Sequence, residues 1–450
     1  MITVLMSTAV FADTDIRIKV DNYENDTLLL GYYYWDNQFI KDTLVRTKKG
    51  EFRIEYEKEL PQGIYLLIMR PENKFIQVVM GDDQEFRVTF DYNAPLESVS
   101  FKGSDENKIF NDYVKYLDSA RVIATNIQER NDFHPRMMDS LNEAVKTRQE
   151  AILTEHPESM VALVIRTNKE PDIPEFQGTE EEVRERQYRF YLKHYFDHVD
   201  LKDPRLLYTS MLHPRIDRYI EKVVGPNPDS INKALDRILG EVKPSSETFK
   251  AILVHYLNKY AKSEYVGMDA VYVHLVENYY ARDMAPWVGE ESLAKMVDDA
   301  SALKPLLIGK IAPDIKVYKR DGTPISLHEI EAPYTALIFW APDCGHCKKS
   351  MPKLIEIYPQ LQEDSVEVLA ICTKLLDKEA GCWEFIDEKG TDLWINATDK
   401  YLRSKFKQKY NIKSTPQLYL LDRNKKILTK KIAVERIPEV LDILKERETD

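Results

Sequence analysis

The chain has 450 residues, 43% hydrophobic and 31% charged, with a formal net charge of −12. That apolar content supports substantial cores and excludes a disordered chain, and the length suits about three domains at roughly 150 residues each. The acidic balance excludes nucleic acid as the main partner, because phosphate recognition needs a basic surface, and no apolar run reaches the roughly 18 residues of a membrane span.

In chain order, residues 1–12 are apolar and end Val10-Phe11-Ala12 before Asp13. This is similar to the hydrophobic region and cleavage site of a secretory signal, though without a basic start. The expectation is an exported protein, in the periplasm or cell envelope, with 1–12 as a signal-peptide remnant. Residues 13–103 read as strands: 16–20, 52–56 and 86–90 alternate with period two. Turn signals at Asp36-Asn37, Lys49-Gly50, Pro61-Gln62-Gly63 and Gly81-Asp82-Asp83 separate them. Such spacing predicts an antiparallel sandwich-like β domain. Tyr32-Tyr33-Tyr34-Trp35 reads as a packed strand rather than a ligand platform.

From 104 the period changes. Ser104 before Asp105 and Glu106 marks a helix start, and Phe110, Tyr113, Val114 and Leu117 fall on one face. Phe249, Ile252, Leu253, Tyr256, Leu257 and Tyr260 do the same. Residues 104–304 therefore form an all-α domain with Pro- and Gly-rich loops. His194 and His198 are spaced i, i+4, but no Glu follows His194, so they read as ordinary histidines.

In 305–450 the predicted order is a short strand 315–318, a turn at Asp321-Gly322, a buried strand 334–340 and a helix 348–361. A strand 366–372, helices 384–388 and 401–410, strands 417–421 and 426–432 and a closing helix 437–446 follow. That order gives a mixed sheet with helices on both faces. The whole is an α+β multidomain chain: a β-sandwich-like domain, a central all-α domain and a C-terminal α/β domain.

The four cysteines, Cys344, Cys347, Cys372 and Cys382, all lie in this last part. So few do not staple a scaffold. Cys344-Gly345-His346-Cys347 sits between an apolar strand and a helix, the layout of a redox dithiol at a helix N-terminus. Only a thiolate attacks a disulfide, and a free cysteine ionises near pH 8.5. The helix end, a charged His346, and Lys348 with Lys349 all favour the Cys344 thiolate. Cys344 is then the nucleophile and Cys347 the resolving thiol. The rival readings are inert thiols and a zinc half-site, which lacks two further ligands, since Cys372 and Cys382 form no second C-x-x-C. No metal is expected. Cys372 and Cys382 suit a second disulfide or an electron relay, with two separate buried thiols as the default.

Further residues support a family resemblance over 306–450. They are Trp340-Ala341-x-x-Cys344, Pro352 five residues after Cys347, Thr415-Pro416 before a strand, and Gly309-Lys310-Ile311-Ala312-Pro313. Together they resemble thioredoxin, and more closely the envelope-facing TlpA/ResA-like thiol–disulfide oxidoreductases. The resemblance implies a thioredoxin fold and a cis-proline at Pro416. It also implies that Thr415 backbone groups can pair with an extended substrate by strand addition. Protein thiols or disulfides and an upstream electron donor or acceptor are the implied partners, with no cofactor. The candidate site is Cys344 and Cys347 as redox pair, Trp340, Gly345 and His346 as support, and Thr415 with Pro416 as substrate rest.

Gly-His is also the pair in protein disulfide isomerase, at about −180 mV against about −270 mV for thioredoxin. A relatively oxidising dithiol is expected, with the direction of electron flow open. Two positions depart from the family. Ile338 stands where thioredoxin has a buried Asp, and Ser350 where ResA-type reductases have Glu, leaving water or His346 to take the Cys347 proton. Thiol-peroxidase chemistry wants a Thr where Ala341 sits. Asp42-Thr43, Lys49-Gly50-Glu51-Phe52 and Gly63-Ile64-Tyr65 resemble a module often fused to such thioredoxin domains, and the helical part resembles a second. Neither brings known chemistry. An alternative role follows: an envelope binding or scaffold protein that captures partners with its first two domains, the dithiol acting as regulator. Lys405, Lys407 and Lys409 read as a solvated helix face, or as a bias toward acidic substrates.

Overall fold

A computed structural model describes residues 13–449 apart from Asn131 and Ser245; the signal-like stretch 1–12 lies outside the described residues. The chain forms two compact units. One holds the chain up to Pro226 with Ala234–Ala251, the other Asn227–Lys233 with Ile252 onward.

The first unit begins with eight strands: β1 Thr14–Asp21, β2 Thr27–Tyr34, β3 Asn37–Val45, β4 Phe52–Tyr56, β5 Gly63–Met69, β6 Lys74–Met80, β7 Glu85–Asp91 and β8 Ser100–Lys102. They make two four-stranded sheets, β4-β1-β7-β8 and β3-β2-β5-β6. Alternation sets the faces: β1 buries Ile16, Ile18 and Val20 and exposes Arg17 and Lys19. These meet Leu28, Leu30, Tyr65, Leu67 and Val78 of the other sheet in one core. The sandwich is not purely antiparallel. β1 and β7 run parallel, Ile16 opposite Phe86, because the chain crosses through the second sheet before returning, and only such a crossover allows parallel pairing. Tyr33 and Trp35 are buried, as a packed strand requires.

Ser104 caps the helix Asp105–Gln128, its Oγ accepting from the Asn107 N–H at 3.2 Å. Phe110 and Tyr113 are buried, but Leu117 is 36% exposed, so the predicted stripe ends a turn early. The helix Glu180–His194 stops at His194, whose Nδ1 lies 2.6 Å from the Asp197 carboxylate. His198 therefore shares no helix face with it.

The second unit carries helices Asp269–Asn278 and Glu290–Leu303, then seven strands. These are β9 Lys316–Tyr318, β10 Pro324–Ser326, β11 Tyr334–Trp340, β12 Val366–Cys372, β13 Ile395–Thr398, β14 Gln417–Asp422 and β15 Ile427–Lys430. Their order is β10-β9-β13-β12-β11-β14-β15, with β11, β12 and β13 parallel at the centre. β11 and β12 are covered on both faces, which explains their continuous apolar sequences. One face buries Ala336, Ile338, Trp340, Val368, Ala370 and Cys372 beneath residues of the helices Gly345–Glu363, Ala380–Lys389 and Ile437–Thr449. The other buries Leu337, Phe339, Leu369 and Ile371 against Phe406 and Tyr410.

Three predicted features change. β10 and β13 were absent from the expected order; only three and four residues long, they carry no periodic signal. The expected helix 401–410 shrinks to Phe406–Lys409. The buried Asp399 carboxylate accepts from the Arg403 and Ser404 N–H groups and the Ser404 hydroxyl, a local alternative that competes with helix. Leu402 and Lys405 take φ of 52° and 57°. Among the described residues, no helix is long and apolar enough to cross a membrane.

Candidate active site

The dithiol stands at the carboxyl end of β11. Trp340 ends the strand, 341–343 turn, and Cys344 caps the helix Gly345–Glu363 from an extended conformation, φ −81° and ψ 119°. A capping residue projects its side chain back over the first free backbone N–H groups. The Cys344 Sγ accordingly accepts from the Cys347 N–H at 3.3 Å. Its thiol also donates to the Thr415 carbonyl oxygen at 3.0 Å. The Thr415–Pro416 peptide is cis. Cys344 is half-buried and Cys347 fully buried, and both are free thiols. Strand end, helix start and the loop before β14 thus place Cys344, Cys347, Thr415 and Pro416 together.

The two thiols are tuned in opposite directions. Burial pushes Cys344 up. Hydrogen bonds from the Cys347 thiol, the Thr415 side chain and the Cys347 and His346 backbone N–H groups outweigh it and hold Cys344 below the ordinary cysteine range. Burial, with the Cys344 hydrogen bond next, pushes Cys347 up to about 12. Hydrogen bonds to the charged form favour it and desolvation opposes it.

His346 supplies its backbone N–H to this arrangement, while its imidazole is exposed, as are Lys348 and Lys349. Solvent-screened charges of that kind add little. Gly345 is exposed at the helix start, where an added Cβ would meet open space. Trp340 is buried against Phe385, ring centroids 5.0 Å apart. Its carbonyl accepts from the Thr373 N–H at 2.8 Å and hydroxyl at 3.1 Å. Ile338 is wholly buried among apolar neighbours. The polar groups acting on Cys347 are those of Cys344, Ala341 and Thr415, with no carboxylate among them.

The default reading of Cys372 and Cys382 is corrected: they are joined in a disulfide, Cα atoms 6.2 Å apart. The fold explains why. Cys372 ends β12 and Cys382 lies in the first turn of Ala380–Lys389, whose start returns to that strand end. The disulfide was the alternative reading, which a spacing of ten residues alone could not decide. Lys374, also missed, lies in the loop this bridge closes and holds the Asp343 carboxylate at 2.6 Å.

A half-buried thiol favoured as thiolate, one helical turn from a buried thiol disfavoured as thiolate, on a thioredoxin-like sheet, defines a thiol–disulfide oxidoreductase site. Comparison with known proteins agrees. Residues 308–430 match the AhpC/TSA family. Residues 137–302 and 14–110 match two domains of unknown function, DUF5106 and DUF4369. Over 135 residues the chain is 30% identical to thiol-disulfide oxidoreductase ResA of a Bacillus cereus strain, covering 30% of this chain and 75% of that protein. ResA of Geobacillus thermodenitrificans is 27% identical over 143 residues, 31% of this chain and 78% of that one. Among solved structures, a thioredoxin-like protein from Bacteroides caccae is 25% identical over 61% of this chain and 98% of its own, with a TM-score of 0.46. A domain of possible thiol-disulfide isomerase from Cytophaga hutchinsonii is 34% identical over 32% of this chain and 99% of its own, with a TM-score of 0.30. Through its C-terminal domain the chain belongs to the ResA-like thiol–disulfide oxidoreductases.

Proposed function

We propose that the chain exchanges disulfides with protein substrates in the cell envelope, with Cys344 as nucleophile and Cys347 as resolving thiol. The carrying observation is the opposite tuning of the two thiols, with the Cys344 sulfur 3.0 Å from the Thr415 carbonyl. In the reductive direction the Cys344 thiolate attacks one sulfur of the substrate disulfide. A Cys344–substrate bond forms, the substrate S–S bond breaks and one substrate thiolate leaves. Cys347, losing its proton, then attacks the Cys344 sulfur, forming Cys344–Cys347 and expelling the second substrate thiolate. Two electrons pass to the substrate, and the reverse sequence oxidises it. The partner's potential sets the direction.

Thr415 and Pro416 form the rest for an extended substrate backbone, His346 tunes Cys344 through its backbone N–H, and Trp340, packed on Phe385, and Gly345 support the dithiol turn. The Cys372–Cys382 disulfide supports an oxidising compartment, where such bonds persist. Trapping tests the assignment. A Cys347→Ser variant should accumulate a mixed disulfide on Cys344 that non-reducing gels and mass spectrometry resolve. Equal trapping through Cys347 in a Cys344→Ser variant would overturn the order of the two thiols.

A further inference from the structure

Cys372 and Cys382 lie outside the exchange just described, yet they share its core. The chain's four cysteines fall in a single apolar cluster, Cys347, Cys372 and Cys382 buried within it and Cys344 packed against it. All are on the same face of the sheet, with Trp340 and Ile338. β11 and β12 are parallel neighbours, and Trp340 is the register partner of Cys372. The dithiol follows the carboxyl end of one strand, and the disulfide begins at the carboxyl end of the next. Two further contacts hold these ends together: the Thr373 N–H on the Trp340 carbonyl, and Lys374 on Asp343.

Exposure separates the two couples. Cys372 and Cys382 are 1% and 0% exposed, so a thiol in solution has no path to their sulfurs in the folded protein. Cys347 is a thiol already inside the same core. Attack on Cys372, whose register partner Trp340 ends the dithiol strand, makes Cys382 the leaving group.

We propose that Cys372–Cys382 is a second redox couple, charged and discharged through the Cys344–Cys347 dithiol; this rests on the exchange reading above. Cys347 gives up its proton and attacks the Cys372 sulfur. Cys347–Cys372 forms, Cys372–Cys382 breaks, and Cys382 leaves as a thiolate and takes up a proton. The Cys344 thiolate then attacks Cys347. Cys344–Cys347 forms, Cys347–Cys372 breaks, and Cys372 leaves and is protonated. One dithiol is oxidised and one disulfide reduced, two electrons and two protons moving within the chain. The fully reduced protein therefore holds four electrons. Opening the second bond also removes the covalent tie across 373–381, the segment that carries Lys374 against the residue before Cys344.

The test treats the folded, fully oxidised chain with a small dithiol, quenches by alkylation at intervals and reads each pair by mass spectrometry. In the wild type, Cys372–Cys382 should open after Cys344–Cys347. In a Cys344→Ala/Cys347→Ala variant of native circular dichroism its opening should slow by about tenfold or more. Equal rates in the two proteins, or a Cys372–Cys382 bond inert in both while Cys344–Cys347 cycles, overturn the relay alone. A Cys344–Cys347 pair that does not cycle overturns the exchange reading and the relay with it. A second variant tests reach independently of rate. Cys344→Ser/Cys382→Ser, mildly oxidised, should yield a bridged peptide pair joining Cys347 to Cys372, and its absence also overturns the relay.

Discussion

Cys344 owes its ionisation to hydrogen bonds more than to charge. Removing one donor to a thiolate costs about 1.5–3 kcal/mol, or roughly one to two pKa units. Cys347→Ala and Thr415→Val should therefore each raise the Cys344 pKa, read from the pH dependence of its alkylation rate. His346→Ala, which keeps the backbone N–H, should move it less. Cys347 sets the opposite dependence. With its pKa raised to about 12 and no carboxylate acting on it, its thiolate fraction rises about tenfold per pH unit through neutrality. Release of a mixed disulfide preformed on Cys344 with Cys347 intact should accelerate to match in stopped-flow measurements, and a pH-independent rate would show that another group takes the proton. The dithiol and its likeness to thioredoxin were legible because separated signals, Trp340 leading to Cys344, Pro352, Thr415-Pro416 and the 309–313 lead-in, point to one fold. The dominance of backbone N–H groups over the His346 charge was not legible, because it depends on the angle at which Cys344 caps its helix.

At the scale of elements, β11 and β12 were readable to the residue, since burial on both faces leaves an unbroken apolar run between turn signals. β13 was not, and the 401–410 helix was misread, because the Asp399 hydrogen bonds are set by where the loop folds back. The Cys372–Cys382 bond likewise depends on a helix start meeting a strand end. Ile338 makes the sheet beneath the dithiol wholly apolar. Ile338→Asp should destabilise the protein by about 3 kcal/mol in urea titration, while speeding release of the mixed disulfide near neutral pH. A loss of stability without that gain would mean that the carboxylate does not reach Cys347.

Across the molecule, alternation in 13–103 and helical periodicity in 104–304 made the class of each region legible, whereas the parallel β1–β7 pairing depends on a crossover no local pattern reports. In the second unit, the helix Asp269–Asn278 is tied to the thioredoxin-like sheet by Lys430, 2% exposed, which pairs with Asp269 and donates to the Leu306 carbonyl at 2.6 Å. Breaking a buried pair from one side is costly, and replacing both partners is far less so. Lys430→Met should destabilise by about 3 kcal/mol, and Lys430→Met/Asp269→Leu should recover much of it in a double-mutant cycle. The central claim, that Cys344 carries the exchange, is tested most directly by protein-disulfide reduction under a constant supply of small dithiol. The Cys344→Ser variant should lose about 100-fold or more of the wild-type rate, and a Cys344→Ser variant of native fold that keeps the wild-type rate would contradict it.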